Sequence, residues 1–340
     1  MMKQNRVLFI ILLFMSSKAL AVNDRLILTD DPPKRLSEYN FFLNPINQSP
    51  NEQVVPYELI TALFSDYSNK HRFVYVPDGM TAVYNDDEVF DFPVGTALIK
   101  TFSYQKADGS ELLLETRLLL HKDNGWDALT YVWDMNEGDA YLALGGKTID
   151  VRGVITPSNS NYIRYRVPNK NQCKECHLKN DAIEPIGPKP RNINKEIVYR
   201  DDAKRNQIDH WTAMNILQER NYSYDRMVDA FDQNHDLNLR ARSYLDINCG
   251  HCHSPEGSAS SSGLYLSIDD EDFGIYKKPV AAGRGSGGLS YSIVPGYPEE
   301  SILLYRMLSN EPDVMMPESG RTLMHDEAIE LLSEWITEMK

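Results

Sequence analysis

The four cysteines of this 340-residue chain all belong to two copies of one five-residue pattern. Cys-x-x-Cys-His occurs at residues 173–177 and again at residues 249–253. In this pattern the two thiols can bond covalently to a haem, and the histidine can supply an axial nitrogen to the haem iron. The sequence therefore predicts two covalently bound haem c groups and no disulfide. The predicted attachment residues are Cys173, Cys176, Cys249 and Cys252, and the predicted axial ligands are His177 and His253.

Two other uses of paired cysteines compete with this prediction. The two pairs could form one tetrathiolate zinc site, or each could be a redox-active dithiol of the thioredoxin type. The separation between Cys173 and Cys249 is long for a zinc ribbon. Neither alternative explains why a histidine directly follows both pairs, so the pattern favours haem.

A methionine in the C-terminal part is the best candidate for the sixth ligand of the second haem iron. Met316 precedes Pro317 in a loop between two predicted helices, and the pair is similar to the Met-Pro ligand of small cytochromes c. Met315 and His325 are the alternatives. A His/Met ligand pair raises the reduction potential relative to two histidines.

The sixth ligand of the first haem is open. His210 is the first choice because neutral imidazole is a good iron ligand, although a surface histidine beside Trp211 fits the sequence equally well. Met214 and Met227 are further candidates. An iron with no sixth ligand is the remaining alternative, and it would permit peroxide or small-ligand chemistry.

The N-terminus has the order of a secretory signal peptide. Lys3 and Arg6 precede an apolar run over residues 7–15, and the small-residue pattern Ala19-Leu20-Ala21 follows. This predicts a cleavable signal peptide over residues 1–21 and export to the periplasm, with secretion to the outer surface and a retained N-terminal helix as alternatives.

The charge balance bears on partners. Asp and Glu number 49 against 35 Lys and Arg, for a formal charge of −14. An acidic chain argues against nucleic acid or an anionic membrane as a partner. It would suit docking to a basic periplasmic redox protein or dehydrogenase, and it would equally keep an exported protein soluble.

Three segments must position these residues. Residues 22–165 alternate in strand fashion, with turn signals at Asp108-Gly109 and Asn124-Gly125 and one helical candidate over 57–67. Residues 166–238 form the first haem segment, with a helix predicted over 203–219. Residues 239–340 read as a cytochrome c domain whose first and last helices pack together. The predicted fold class is multi-domain α+β: a β-sandwich-like domain followed by a mainly α haem region.

Several stretches of the chain resemble one bacterial family of exported di-haem c-type cytochromes. The resemblance covers nearly the whole predicted mature chain, and it implies haem binding and electron transfer without indicating a substrate. The matching residues are 115–118, 167–173, 244–257, 279–288, 301–307 and 315–317.

Two functions follow from these expectations. The first is an electron relay with two six-coordinate haems, and the second is a di-haem enzyme of the peroxidase type with one open iron. No acid/base pair is recognisable near the first motif, which favours the relay. A third, weaker idea is that the β-rich domain binds a carbohydrate or a partner, but fold alone does not establish that.

Overall fold

We describe the protein from a computed structural model, over residues 21–86, 88–157, 162–220, 225–270, 279–280 and 283–339. The predicted signal peptide, apart from Ala21, lies outside the described residues. In the described ranges, no helix is both long enough and apolar enough to cross a membrane.

Strands and helices alternate along the chain. The strands of the described part are β1 (Phe42–Asn44), β2 (Ser49–Pro50), β3 (Val54–Pro56), β4 (Asn69–Tyr75), β5 (Ala97–Gln105), β6 (Glu111–Lys122), β7 (Gly125–Asp134), β8 (Asp139–Leu142), β9 (Lys147–Arg152), β10 (Tyr162–Val167), β11 (Leu178–Lys179), β12 (Ala182–Ile183), β13 (Glu196–Val198) and β14 (Lys204–Asn206). Its α-helices are α1 (Arg25–Leu28), α2 (Lys170–His177), α3 (Pro190–Ile193), α4 (Gln207–Ala213), α5 (Leu237–Leu245), α6 (Ile302–Met307) and α7 (Asp326–Glu338).

The central element is a six-stranded antiparallel sheet in which β3 to β8 follow one another in sequence order. Alternate side chains point to opposite faces of such a sheet. One face, with Phe73, Ile99 and Leu118 among its buried residues, packs against the N-terminal segment that carries Ile27 and Tyr39. The opposite face is covered by the chain that follows β8, including both cysteine motifs.

The predicted fold class is wrong in both of its parts. The β-rich segment is one six-stranded meander with a separate β9–β10 hairpin, where a sandwich was expected. After residue 166, short strands and long irregular stretches separate the helices, and the longest helix of the described residues has 13 residues. Proline and glycine between the second motif and α6 favour turns over helix, so a mainly α cytochrome c region does not form.

The predicted helix over residues 57–67 is also absent. Its backbone N–H groups bond to distant partners: Ile60 donates to the Asn192 carbonyl and Phe64 donates to the Asn248 side chain. Asp66 and Tyr67 then adopt the left-handed conformation, which ends any helical run. Tertiary contacts override the local apolar spacing here.

The other predicted helices form with shorter bounds. The helix expected over 203–219 is α4, which Asn206 caps and which left-handed Asn215 follows. Helices α5 and α7 share one apolar cluster, and the Trp335 indole donates to the Asn238 side chain at 2.9 Å. The sequence predicted that the first and last helices of the C-terminal segment pack together, and this packing is present.

Candidate functional site

The first cysteine motif lies on α2, a helix of eight residues. Asn169 caps its start, because the Asn169 side chain accepts from the Gln172 N–H and the Gln172 side chain accepts from the Asn169 N–H. This short capped helix packs against β7, and the Cys173 thiol lies beside Thr130 of that strand. The helix therefore fixes the motif against the sheet.

A tight hairpin orients the histidine of the first motif. Asn180 and Asp181 join β11 to β12 with positive φ at both positions, as a two-residue hairpin loop requires. The hairpin returns the chain to His177, whose Nδ1–H donates to the Glu184 carbonyl at 2.7 Å. With Nδ1 held in this way, Nε2 is the nitrogen that can bind a metal. Burial lowers the pKa of His177 to about 4, so the ring is neutral at physiological pH.

The second motif begins in a distorted helical segment. Helix α5, capped by Asp236, runs directly into a five-residue π-helical turn, Asp246–Gly250, that contains Cys249. Such turns within helices occur frequently at functional sites. The turn is anchored from outside, since the Asn248 side chain accepts from the Phe64 N–H at 2.8 Å.

The histidine of the second motif is held in a similar way. The Nδ1 atom of His253 lies 3.2 Å from the Ser262 hydroxyl, and the Leu264 carbonyl is a second acceptor close by. Burial lowers the pKa of His253 to about 4. Both motif histidines are thus neutral and keep Nδ1 occupied, which is the arrangement found for metal-binding imidazoles.

The two motifs meet in space although they are far apart in sequence. The Asn180 N–H donates to the Glu256 carbonyl at 3.1 Å, so the β11–β12 hairpin bonds to the loop that follows the second motif. The Cys252 thiol donates to the Glu175 carbonyl at 3.9 Å, which places it beside the first motif. The neighbouring Cys252 thiol lowers the pKa of the Cys176 thiol below its ordinary value.

All four cysteines are half-buried free thiols. Burial raises the pKa of Cys249 to about 12 and raises that of Cys173. The described residues contain no group of three or more His, Cys, Asp or Glu side chains placed to hold a metal ion. The preformed tetrathiolate that the zinc alternative requires is therefore not present among them.

A cleft of about 140 Å³ separates the first motif from the sheet. Cys173, Cys176 and His177 line one side, and His251 of the second motif also borders it. The opposite side is the sheet face formed by β4, β5 and β6.

Three cations stand side by side on that sheet face. Arg72 of β4 lies opposite Lys100 of β5, and Lys100 lies opposite Arg117 of β6. We call these three residues the cation row. The Phe102 ring lies beneath it, 5.1 Å from Lys100 Nζ and 4.2 Å from Arg117 Cζ. Like charges directly opposite each other destabilise a sheet, so the row is a place where an anion would be favourable.

The electrostatics of the row agree with that conclusion. Burial, together with Arg117 and Arg72, lowers the pKa of Lys100 to about 7. Among the described residues, Arg117 alone in the row has a carboxylate partner, since Glu115 accepts from its Nη2 at 2.6 Å and from its Nε at 3.0 Å. Glu115 is fully buried and also accepts from the Tyr165 hydroxyl. Arg72 therefore presents largely uncompensated charge to the cleft, and Lys100 adds to that charge while it is protonated.

The chemical groups of these residues are those that a covalently attached haem requires. The motifs offer thiols for attachment and neutral imidazoles for iron, and the cation row offers charge for the carboxylates of the haem propionates. The cleft is smaller than ligand pockets generally are. The loop that contains residues 317–321 also borders the cleft.

Met316 lies at the start of a loop that borders the first motif. Its N–H donates to the carbonyl of Arg306, the residue whose charge also acts on His253. The next residues of the loop border the cleft of the first motif, where the Ser319 hydroxyl lies 3.8 Å from the Cys176 sulfur. Met316 itself is half-buried and does not line that cleft, and Met315 is 7% exposed.

The candidates for the first iron lie elsewhere. His210 packs on the Tyr199 ring, with 3.8 Å between ring centroids, and does not line either of the clefts bordered by His177. Met214 is exposed and Met227 is buried, and neither lines those clefts. The structure does not bring these three residues to the first motif.

His325 is enclosed by aromatic rings at the start of α7. It stacks on Phe64 with a centroid distance of 4.1 Å, and its Nδ1 lies 3.0 Å from the Tyr244 hydroxyl. Burial lowers its pKa to about 4. These contacts give His325 a packing role.

Sequence reasoning missed the cation row and His251. The signal for the row was present in part, since Lys100 and Arg117 interrupt runs of apolar strand residues and Arg72 directly precedes one. Which of them become neighbours depends on strand register, which the sequence pattern alone does not specify. His251 was passed over because it occupies a variable position inside the motif.

No protein-family model, curated protein or solved structure matches this chain.

Proposed function

We propose that this protein is an exported di-haem c-type cytochrome that transfers electrons between redox partners. The observation that carries the proposal is that both Cys-x-x-Cys-His motifs hold their histidine by Nδ1 and leave Nε2 for iron. The resemblance of the motif-bearing segments to exported di-haem cytochromes points the same way.

Each motif has a defined role in this proposal. Cys173 and Cys176 attach the first haem and His177 supplies its axial nitrogen. Cys249, Cys252 and His253 do the same for the second haem, with Met316 as the proposed sixth ligand. When bound, each haem supplies an iron that gains or loses one electron without a proton having to move.

The arrangement of the motifs supports a relay. Cys252 donates to the Glu175 carbonyl, so the residues that would hold the two haems are neighbours. The cation row faces the first motif and would hold haem carboxylates, which ties the sheet to the cofactor. In this proposal the β-rich part of the chain forms one wall of the haem site.

The expected partners follow from charge and compartment. A chain with a formal charge of −14 is suited to transient docking on a basic surface of a periplasmic electron donor or acceptor. Complementary charge raises the rate of encounter more than it raises affinity, which is what a relay needs.

A redox titration with a carbon monoxide challenge tests the proposal. The exported protein should show two reversible one-electron waves in the haem absorption bands, and the reduced protein should not bind carbon monoxide stoichiometrically. An exported protein without haem absorption would contradict the proposal. Tight carbon monoxide binding at one haem, together with turnover of peroxide, would replace the relay with the di-haem peroxidase alternative.

A further inference from the structure

His251 occupies an unusual position for a residue within a haem attachment motif. It lies between the two cysteines of the second motif, yet it borders the cleft of the first motif together with Cys176 and His177. Both cavities that His177 lines are also lined by His251 and Cys176. The second motif therefore contributes an imidazole to the site of the first.

One nitrogen of this ring has no hydrogen-bond partner. The Nδ1 atom of His251 is buried from water and unpartnered among the described residues. An unsatisfied buried polar atom destabilises the folded state, so native structures usually provide a partner. A second cavity of about 50 Å³, bordered by both His251 and Asp246, lies next to the site.

The Asp246 carboxylate is the complementary group. Its Oδ1 accepts from the Ile268 N–H and from Lys189, whereas its Oδ2 is buried and lacks a partner within the described part of the chain. The cavity bordered by both residues is large enough for a bridging water. A carboxylate that accepts from Nδ1 would fix the tautomer of His251 and leave Nε2 for a metal.

Resting on the proposed function, we propose that His251 is the sixth ligand of the haem iron held by Cys173, Cys176 and His177. The first iron would then have two histidine ligands, one from each motif. His251 is directly bonded to Cys252, so this ligand would also connect the first iron to the attachment point of the second haem. His210, the residue that the sequence favoured for this role, does not line the cleft.

The assignment predicts different potentials for the two haems. Two histidines give a lower potential than a His/Met pair, so the first haem would be the more reducing of the two. Electrons would flow from the first haem to the second, and the ligand connection would lie on that path.

The test uses the full exported protein with its haems attached. Wild type, His251→Ala, His251→Met and the control His210→Ala would be compared by intact mass, electron paramagnetic resonance of the ferric state and carbon monoxide binding after reduction. The wild type should show a bis-imidazole low-spin signal for one haem. His251→Ala should convert that one haem to high spin and bind about one carbon monoxide per protein, and added imidazole should restore the low-spin signal. His251→Met should stay low-spin at a raised potential, and His210→Ala should match the wild type.

Several results would overturn the assignment. A wild type with two haems but no bis-imidazole signal would do so without any variant, as would loss of the signal in His210→Ala. A His251→Ala protein that keeps both haems low-spin would do the same. In each of these cases the di-haem proposal survives. A wild type without covalent haem overturns the proposed function and this assignment together.

Discussion

At the scale of single residues, the site is organised by what each imidazole nitrogen does. His177 and His253 use Nδ1 as a donor to protein acceptors, while Nδ1 of His251 has no such partner among the described residues. The cation row opposite the first motif adds buried positive charge. Redox potential and ligand identity are therefore the properties that single substitutions should change.

Replacing Lys100 by methionine should lower the potential of the first haem. Below its pKa of about 7 Lys100 is mainly protonated, so at mildly acid pH the change removes a positive charge beside the cleft, keeps the side-chain length and makes the more positive ferric form easier to reach. Two unit charges about 10 Å apart at an effective dielectric of about 20 interact by roughly 1.7 kcal/mol, or about 70 mV for one electron. Redox titration should show a shift of that order in one wave only. Lys204→Met, a change at an exposed position of β14, should leave both waves in place, and an equal shift in that control would refute the role of the row.

Replacing Met316 by alanine should abolish the weak thioether-to-iron absorption band of the ferric protein. The band requires a methionine sulfur on iron, and Met316 is the proposed sulfur donor to the second haem. Absorption spectra of Met316→Ala and of Met315→Leu should differ, because only the first variant removes the ligand. A band that persists in Met316→Ala, or that disappears in Met315→Leu, would assign the ligand differently.

At the scale of elements, short local structures hold the motifs in place. Helix α2 and the β11–β12 hairpin fix the first motif, while the π-helical turn and the loop after Cys252 fix the second. These elements come together through backbone bonds such as Asn180 N–H to the Glu256 carbonyl. A backbone change in one of them should disturb a haem site without touching a ligand.

Gly257→Ala should destabilise the loop after the second motif. A Cβ at this position would lie 2.3 Å from the Cys252 carbonyl oxygen and 2.8 Å from that of His251, and backbone atoms cannot move aside cheaply. The expected loss is about 1–3 kcal/mol, as for overpacking in general. Thermal unfolding should show a lower midpoint than for Gly145→Ala, where a Cβ meets nothing within 4 Å. Equal midpoints for the two variants would mean that the loop relaxes freely.

The sequence predicted elements more reliably than their arrangement. The strands around Phe73, Ile99 and Leu118 and the turn at Asn124-Gly125 follow from alternation and turn chemistry, and they are present. The helix over 57–67 was wrong, because distant side chains such as Asn248 bind its N–H groups. The meeting of the two motifs could not be predicted, since it depends on contacts between segments far apart in the chain.

At the scale of the whole molecule, buried polar contacts join the haem segments to the sheet. Asp66 of the β-rich part accepts from the Thr322 N–H at 2.6 Å and from the Leu323 N–H at 2.8 Å. Asp246 pairs with Lys189 and Arg191 across the two haem segments, at 3.2 and 3.4 Å. The expected separation into a β-sandwich and a mainly α region overlooked this integration. Loss of such buried contacts should lower the free energy of unfolding of the whole protein.

The Asp246 contacts should make stability depend on acid pH. Burial acts to raise the pKa of Asp246, but Lys189 and Arg191 outweigh it and hold the pKa below its ordinary value. A carboxyl whose pKa is lower in the folded state contributes stability above its unfolded pKa of about 3.9 and loses it as pH falls through the folded value. The free energy of unfolding should therefore decrease toward low pH, and Asp246→Asn should flatten that decrease.

Near neutral pH, Asp246→Asn should cost about 3–5 kcal/mol, because it leaves the buried Lys189 without its carboxylate partner, whereas Arg191 keeps Asp269. The matched control is Asp201→Asn, which breaks the exposed ion pair with Arg205 and should cost far less stability, because solvent screens that pair. Denaturant unfolding between acid and neutral pH measures both effects. Equal costs for the two variants would show that the Asp246 contacts contribute little.

The number of covalently attached haems tests the central claim most directly. Intact-mass measurement of the exported protein should show the added mass of two haems. One should be lost when Cys173 and Cys176 become serine, and the other when Cys249 and Cys252 do. A mature protein with the mass of its polypeptide alone, or with bound zinc in place of haem, would contradict the account.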